Sequence, residues 1–491
     1  MRVAIVYPPI MKDGHYALLS QNRWFKYTAS KAVRIFPLVP ASAATLLRDD
    51  GHEVCFLDGI TERLSPEEFL ARLRQFQPNL VVMETKTPVV RRQWEIAETI
   101  RSTCDARIAF VGDHCTVFPE ESIISGSVDF CVAGGDYDIT LRDLARHLEN
   151  SAPMPSGVYY RANGQVQDSG AFELEADLNG LPYIDRMLTK WWHYGEAYLY
   201  HPAAYILSGR GCGVDMARAG TCTFCVWQHA LWRRTARLRS PENVAGEIRE
   251  LVERYKVKEI FDDNEAGPFW DREWLRDFSK VMLRTGLAGR VRLSANARAD
   301  ALDDEICHLQ RESGFRLLKI GLESGCNDTL ALLSKQETRE RIAEGVRTAK
   351  DHGIAVLLTT MVGYPWETDE EAAETYRFAR DLLLYKTRLG DSLQASIVVP
   401  YPGTPLHRQA EREGWLVVEP GDYDSYDMSR PVLKTNMKAQ YWCNRMWRVM
   451  YEPAFIMRTL TSIRSGDDVA LLWRGIRSLM GHLQDSRGKS S

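Results

Sequence analysis

Apolar positions recur along this chain with two periods, one of strands and one of helices. In residues 1–150 five short aliphatic runs stand out: Val3–Tyr7, Glu53–Leu57, Leu80–Met83, Ile108–Val111 and Phe130–Ala133. Between and after them lie stretches of helical period at Ala41–Arg48, Pro66–Phe76, Arg91–Arg101, Glu120–Ile124 and Thr140–Leu148. Alternation of this kind predicts an α/β fold, a doubly wound (flavodoxin-like) parallel sheet with helices on both faces. Such sheets hold ligands at the carboxyl ends of their strands. Those ends are Pro8-Pro9, Asp58-Gly59, Glu84–Pro88, Gly112–Thr116 and Gly134–Asp138. The stretch Asp13–Phe36 breaks the pattern with His15, Tyr16, Trp24, Phe25, Lys26, Tyr27 and Arg34. It follows the first strand and so belongs to the ligand side, capping a ligand or packing between domains.

Residues 151–199 read as a connector. A hairpin is expected there, Gly157–Arg161 and Gln165–Asp168 around Ala162-Asn163-Gly164, followed by the aromatic run Trp191-Trp192-His193-Tyr194. From residue 200 to 415 six strand–helix units follow, with strands at Tyr205–Ser208, Glu259–Asp262, Val291–Ser294, Leu317–Ile320, Val356–Met361 and Gln394–Val399. Amphipathic helices such as Pro241–Tyr255 and Arg339–His352 separate them. Polar and Gly residues gather after each strand, as at the mouth of a (β/α) barrel, so a partial (β/α)6 barrel is predicted. Residues 416–491 read as a helical region after Tyr423–Met428. Its Lys and Arg outnumber its Asp and Glu from Lys438 onward, and Trp442, Trp447, Phe455 and Trp473 share its helices. Such helices can lie on a membrane surface, but packing of the apolar stripe on the barrel is the favoured reading.

Composition narrows the classes. A 45% hydrophobic, 26% charged chain with formal net charge −4 is an ordinary globular protein and lacks the basic excess of a nucleic-acid binder. No apolar run is long enough to cross a bilayer, and Met1–Tyr7 has no signal-peptide layout, so a cytoplasmic location is expected. Of ten cysteines, Cys55 and Cys131 lie in apolar runs and Cys307 and Cys443 in helical ones. Cys212, Cys222 and Cys225 alone cluster. Three thiolates can bind three irons of a cubane and leave the fourth open. Together with His229 they can also form a Cys3His zinc site. A zinc staple does not predict six polar strand ends in barrel order.

The segment Cys222-Thr223-Phe224-Cys225 resembles the cluster loop of radical S-adenosylmethionine (radical SAM) enzymes. Nine residues, Gly213 to Thr221, precede it after Cys212, where most of that superfamily has three. The resemblance continues through Asp262-Asp263-Asn264, Gly321-Leu322-Glu323-Ser324-Gly325, Gly363-Tyr364-Pro365-Trp366-Glu367-Thr368 and Pro400-Tyr401-Pro402-Gly403-Thr404-Pro405-Leu406. The first 150 residues are similar to the cobalamin-binding domain that precedes many such barrels, at Pro8-Pro9, Pro37–Pro40, Gly51–Val54, Gly112–Thr116 and Gly134-Gly135-Asp136. They lack the Asp-x-His-x-x-Gly motif, reading Asp58-Gly59-Ile60-Thr61 instead.

The resemblance implies a [4Fe–4S] cluster on Cys212, Cys222 and Cys225. It implies SAM against Phe224, with Asn296, Arg298, Glu323 and Ser324 as polar contacts. For cobalamin it implies Pro9, Val39, Thr85, Thr87, Gly112, Asp113, His114, Gly134 and Gly135, with a surface or helix-entry role the plainer reading of His114. The implied activity is C-methylation of a small organic substrate, with a flavodoxin or ferredoxin as external electron donor. The alternatives are a radical cyclase or skeletal-rearrangement enzyme and, outside enzymes, a zinc-stapled binding protein. The residues Val214, Asp215, Met216 and Arg218 of the long gap are expected to enlarge the cluster loop beside the substrate pocket.

Overall fold

Two parallel sheets joined through a buried cluster of ion pairs organise the chain. The structure is a computed structural model that describes residues 1–19, 25–28, 33–213, 221–428 and 430–487. Trp24 and the gap residues Val214, Asp215, Met216 and Arg218 lie outside that description.

The first sheet contains β1 (Arg2–Tyr7), β2 (Glu53–Asp58), β3 (Leu80–Thr85), β4 (Arg107–Gly112) and β5 (Phe130–Val132), all parallel, and the hairpin β6 (Val158–Ala162) and β7 (Gln165–Asp168). The order is β7-β6-β5-β4-β3-β1-β2. The hairpin pairs antiparallel with β5, so it extends this sheet rather than standing in a separate connector. The helices are α1 (Leu38–Asp49), α2 (Pro66–Phe76), α3 (Val90–Thr103), α4 (Asp113–Val117), α5 (Pro119–Ser125) and α6 (Tyr137–Asn150). They cover both faces, and β3 is buried at every position, as a central parallel strand must be. Ser65 and Glu68 close a capping box on α2, whose first residue is Pro66.

The second sheet runs in chain order and wholly parallel: β8 (Ala203–Ile206), β9 (Glu259–Asp262), β10 (Arg292–Ala297), β11 (Phe315–Glu323), β12 (Ala355–Val362) and β13 (Ser392–Ile397). It is the expected six-stranded partial barrel, with β8 and β13 as its edges. Its outer helices include α7 (Pro241–Tyr255), α8 (Arg272–Arg284), α9 (Asp304–Ser313), α10 (Arg339–Asp351) and α11 (Asp369–Leu384). In α7 the Ser240 side chain caps the start, and Val244, Ile248 and Leu251 bury one face.

The C-terminal helices are α12 (Ala439–Trp447), α13 (Pro453–Thr461) and α14 (Gly466–Arg487). The first packs on the barrel: Cys443 and Met446 are buried, Trp442 Nε1 donates to Asp369 at 2.7 Å, and Trp447 Nε1 donates to the Ala395 carbonyl at 3.0 Å. The other two leave Met457, Leu460 and Trp473 exposed. None of the described helices is long and apolar enough to cross a membrane. The early aromatic stretch packs between domains, as its plainer reading expected. Phe36 meets Tyr194 and Tyr205, Arg34 exchanges backbone bonds with Gly195, and the Phe25 carbonyl accepts from Met428 N.

Arg210 joins the two sheets. It lies on Gly209–Gly211, a short strand after β8 that pairs antiparallel with Ala236–Leu238. Its guanidinium reaches Asp136 at 2.7 Å and Asp138 at 2.6 Å, and all three groups are buried. Arg237, from the opposing strand, also pairs with Asp136. Gly211 sits at φ 90, and a methyl there would strike the Thr235 carbonyl, so the close hairpin requires glycine. Removing one partner of a buried network strands the rest without water. Arg210→Met is therefore expected to lower the denaturation midpoint by the equivalent of about 3–5 kcal/mol, measured by urea unfolding.

Candidate active site

The hairpin that carries Arg210 delivers Cys212 to the mouth of the barrel. Gly211 N donates to Glu265 at 2.8 Å, fixing the chain one residue before the thiol. Cys222 and Cys225 lie on the turn that follows the long gap, tied by Cys225 N to the Cys222 carbonyl at 3.1 Å. Thr223 N bonds the Leu333 carbonyl, and Leu406 N bonds the Thr223 carbonyl, so the turn is pinned to loops from both sides of the barrel.

All three cysteines border one cavity of about 220 Å³ at the carboxyl ends of the strands. Phe224, Asn296, Arg298 and Glu323 border it too. Arg298 Nη1 points at Cys222 Sγ, 3.8 Å away. Burial works against the charge of Arg298, but Glu337, Asp300 and the Cys222 sulfur outweigh it and hold the guanidinium cationic. A fixed cation beside a thiol favours the thiolate, the form that binds metal. Lys335 stands next to it, 3.0 Å from Glu337 and 3.5 Å from Glu323, and these carboxylates likewise offset its burial. Glu323 ends β11 with φ 63, a left-handed conformation that turns its carboxylate toward Lys335. Asn296 donates to Asp263 and to the Asn264 carbonyl, both at 3.0 Å.

Ser324 is placed differently from its expected role. It is fully buried outside the cavity lining, with its Oγ 3.1 Å from Glu367 and 3.2 Å from the Thr375 hydroxyl. It braces the wall behind Glu323, because the backbone turn after Glu323 carries it into the space under α11. The Gly363–Thr368 segment completes that wall. Tyr364 stacks on Trp366 with centroids 5.2 Å apart, Thr368 caps α11, and burial pushes the Glu367 carboxyl up to about 7.

Sequence reasoning missed Lys335 and Lys319, since single lysines carry no spacing signal. Lys319 lies on β11 two residues before Gly321 and lines the cavity with Thr359, Gln394 and Ser396. His229, the fourth ligand of the zinc alternative, has its Nε2 3.2 Å from the Cys222 carbonyl instead. Among the described residues no three His, Cys, Asp or Glu side chains gather tightly enough for a single metal ion. The three cysteines instead share the lining of one cavity.

The strand ends of the first sheet are closed. Thr85 Oγ1 donates to the Val111 carbonyl at 2.8 Å, and the Thr87 hydroxyl meets His114 Nδ1 at 3.1 Å. His114 is buried and, by that burial, titrates only near 3, with Tyr423 edge-on at 4.8 Å. Asp113 pairs with Lys86 at 3.5 Å, while Val39 and Pro9 are buried. A methyl group at Gly134 would enter the Phe172 ring, and one at Gly135 the Trp232 ring. Gly135 N also donates to the Leu231 carbonyl at 3.1 Å. Below that roof, Glu84 accepts from Tyr7 at 2.5 Å and Tyr137 at 3.1 Å. The space left between Asp113, Gly135, Trp227 and Trp232 is about 10 Å³, room for a single water. The turn Trp227–Trp232 packs over this rim, so Gly134 and Gly135 face protein side chains here.

Residues 206–379 match the model of the Radical SAM superfamily, so this part of the chain is a radical SAM domain. An uncharacterized methyltransferase of Pyrococcus horikoshii is 24% identical over 84% of this chain and 86% of its own length. The anaerobic magnesium-protoporphyrin IX monomethyl ester cyclase of Cereibacter sphaeroides is 24% identical over 77% of this chain, which spans 60% of the cyclase. The fold is that of the methyltransferase TsrM from Kitasatospora setae, solved with cobalamin and a [4Fe–4S] cluster (TM-score 0.68, 16% identity, 99% of each chain). It is also that of OxsB, solved with aqua-cobalamin and SAM (TM-score 0.66, 18% identity, 98% of this chain and 72% of OxsB).

Two outcomes follow from this geometry. Glu367 carries a folded-state pKa raised from 4.5 to about 7, so its native form holds the proton more tightly than its unfolded form. Stability from this group is therefore present below pH 4.5 and is lost as pH rises toward 7, by about 3 kcal/mol. Glu367→Gln is expected to match the parent in urea unfolding at pH 4 and to exceed it at pH 8. Trimming the roof should also matter. Trp232→Ala is expected to retain more hydroxocobalamin after gel filtration than the parent, read by corrin absorbance, and equal retention would show that Trp232 does not close the site.

Proposed function

We propose that this radical SAM protein is an enzyme that transfers a methyl group to a carbon of a small organic substrate. The observation that carries the reading is the convergence of Cys212, Cys222, Cys225 and Arg298 on a cavity that continues into a polar barrel lumen. When bound, SAM on a reduced [4Fe–4S] cluster supplies a carbon-centred radical able to take hydrogen from an unactivated carbon. Cys212, Cys222 and Cys225 are the ligands for that cluster, and Arg298 sets a cation 3.8 Å from Cys222 Sγ. Phe224 gives an apolar wall to a nucleoside, while Glu323 and Asn296 offer acceptors and donors around it. Lys319, Thr359, Gln394 and Ser396, deeper in the lumen, suit a substrate with polar groups. Trp227, Met361 and Val399 line the remaining wall and limit water.

Methyl transfer is supported by the likeness to the Pyrococcus methyltransferase and to the fold of TsrM. Cobalamin would supply the methyl carrier. A second reading, radical cyclisation or rearrangement without net methyl transfer, agrees with the cyclase relatives. The electron donor belongs to the same proposal, a small flavodoxin- or ferredoxin-like protein.

Each of Cys212→Ala, Cys222→Ala and Cys225→Ala is expected to abolish SAM cleavage after anaerobic cluster reconstitution, measured as loss of 5′-deoxyadenosine and of product. Product mass separates the two readings. A gain of one methyl group supports transfer, and an unchanged mass or a loss of hydrogens supports the second.

A further inference from the structure

The barrel has a second opening, at its foot. There the amino ends of β10, β11 and β12 and the loop before β13 surround a cleft of about 760 Å³. Arginines dominate its rim. Arg290 precedes β10 and Arg292 begins it, Arg311 comes from α9, and Arg388 from the loop before β13. Arg292 lies over the Tyr200 ring at 4.2 Å, and Arg311 Nη1 makes only a 3.5 Å bond to the Phe315 carbonyl. Among the described residues, Arg292, Arg311 and Arg388 form no ion pair, and Arg290 has one long one, 3.7 Å from Glu253.

The wall behind the rim adds to this. Arg316 pairs with the buried Glu259, yet its Nη1 is buried with no hydrogen-bond partner. Two acids also border the cleft. Asp468 is taken up by the Tyr200 hydroxyl at 2.5 Å and by the backbone of Arg464 and Ser465. Glu312 lies 3.4 Å from His308 on α9. Four unneutralised or weakly paired guanidiniums around one concave space repel each other and focus a positive potential into it. Their planar donor forks match phosphate oxygens, and an oligophosphate supplies both the charge and the acceptors they lack.

We propose that this cleft is a binding site for a soluble di- or triphosphate, separate from the active site. The nine residues of β11 separate the two, with Phe315 at the foot and Glu323 at the mouth, a distance of roughly 30 Å. A ligand there would touch the segments that lead into four barrel strands, and it would not meet SAM or substrate.

Titration calorimetry of the full chain with pyrophosphate, ATP and adenosine tests this. Pyrophosphate and ATP are expected to bind and adenosine to give no heat. Arg388→Gln should weaken pyrophosphate about tenfold, and the Arg311→Gln/Arg388→Gln pair about a hundredfold, as expected for charge-assisted bonds to phosphate. Both side chains are exposed, so folding is not at risk, and Arg388→Lys should recover part of the affinity. The proposal is overturned by absence of heat with pyrophosphate. It is equally overturned by variants that bind as well as the parent, by adenosine binding as tightly as ATP, or by binding only to vesicles of phosphatidylglycerol. None of these readouts depends on SAM cleavage, so the site and the radical reading fail independently.

Discussion

The buried contact of Arg210 with Asp136 and Asp138 sets the geometry of the whole molecule. One end of it begins α6, after the Gly134-Gly135 loop of the first sheet. The other end lies two residues before Cys212. Burying three charges is costly, and the cost is offset here by paired, bidentate geometry with Arg237 as a second cation on Asp136. Because the guanidinium fits only one arrangement of the two carboxylates, the first sheet and the hairpin that leads to Cys212 cannot slide past one another. The roof of Trp227 to Trp232 is then laid over Gly135 in a fixed register.

That register brings two chemistries into competition for one surface. The mouth of the barrel is polar, cationic near Cys222 and open to a cavity. The rim of the first sheet, a few residues away in the same loop system, is filled by Trp232, Phe172 and Tyr423 and by the Glu84–Tyr7–Tyr137 cluster beneath. The closure of that rim rests in a handful of aromatic side chains.

Much of this architecture was legible in the amino-acid sequence. All eleven parallel strands lie where aliphatic runs predicted them, because a strand buried on two faces must be apolar throughout. The cysteines, Phe224, Asn296, Arg298 and Glu323, singled out by the resemblance, all line one cavity. What escaped depends on distance in three dimensions. Ser324 has the composition of a ligand contact, but its backbone turn hides it against Glu367. Gly134 and Gly135 look like room for a ligand, and only the fold reveals that Phe172 and Trp232, 38 and 97 residues further along the chain, take that room. The arginine cleft gathers residues from separate segments spread between Tyr200 and Asp468 and has no sequence signature.

The hairpin β6–β7 bears on how the chain is made. Domains form from the amino terminus as synthesis proceeds, and β5, with Phe130, Cys131 and Val132 buried, would present a naked apolar edge if folding ended at residue 150. The nascent first domain becomes complete only when Asp168 has left the ribosome and β7, with its polar Gln165, Gln167 and Asp168, forms the outer edge. Even then Asp136 and Asp138 wait without cations until Arg210 emerges some forty residues later. The first domain is thus born with an unneutralised acidic pocket, and arrival of the hairpin that carries Arg210 is the event that closes it.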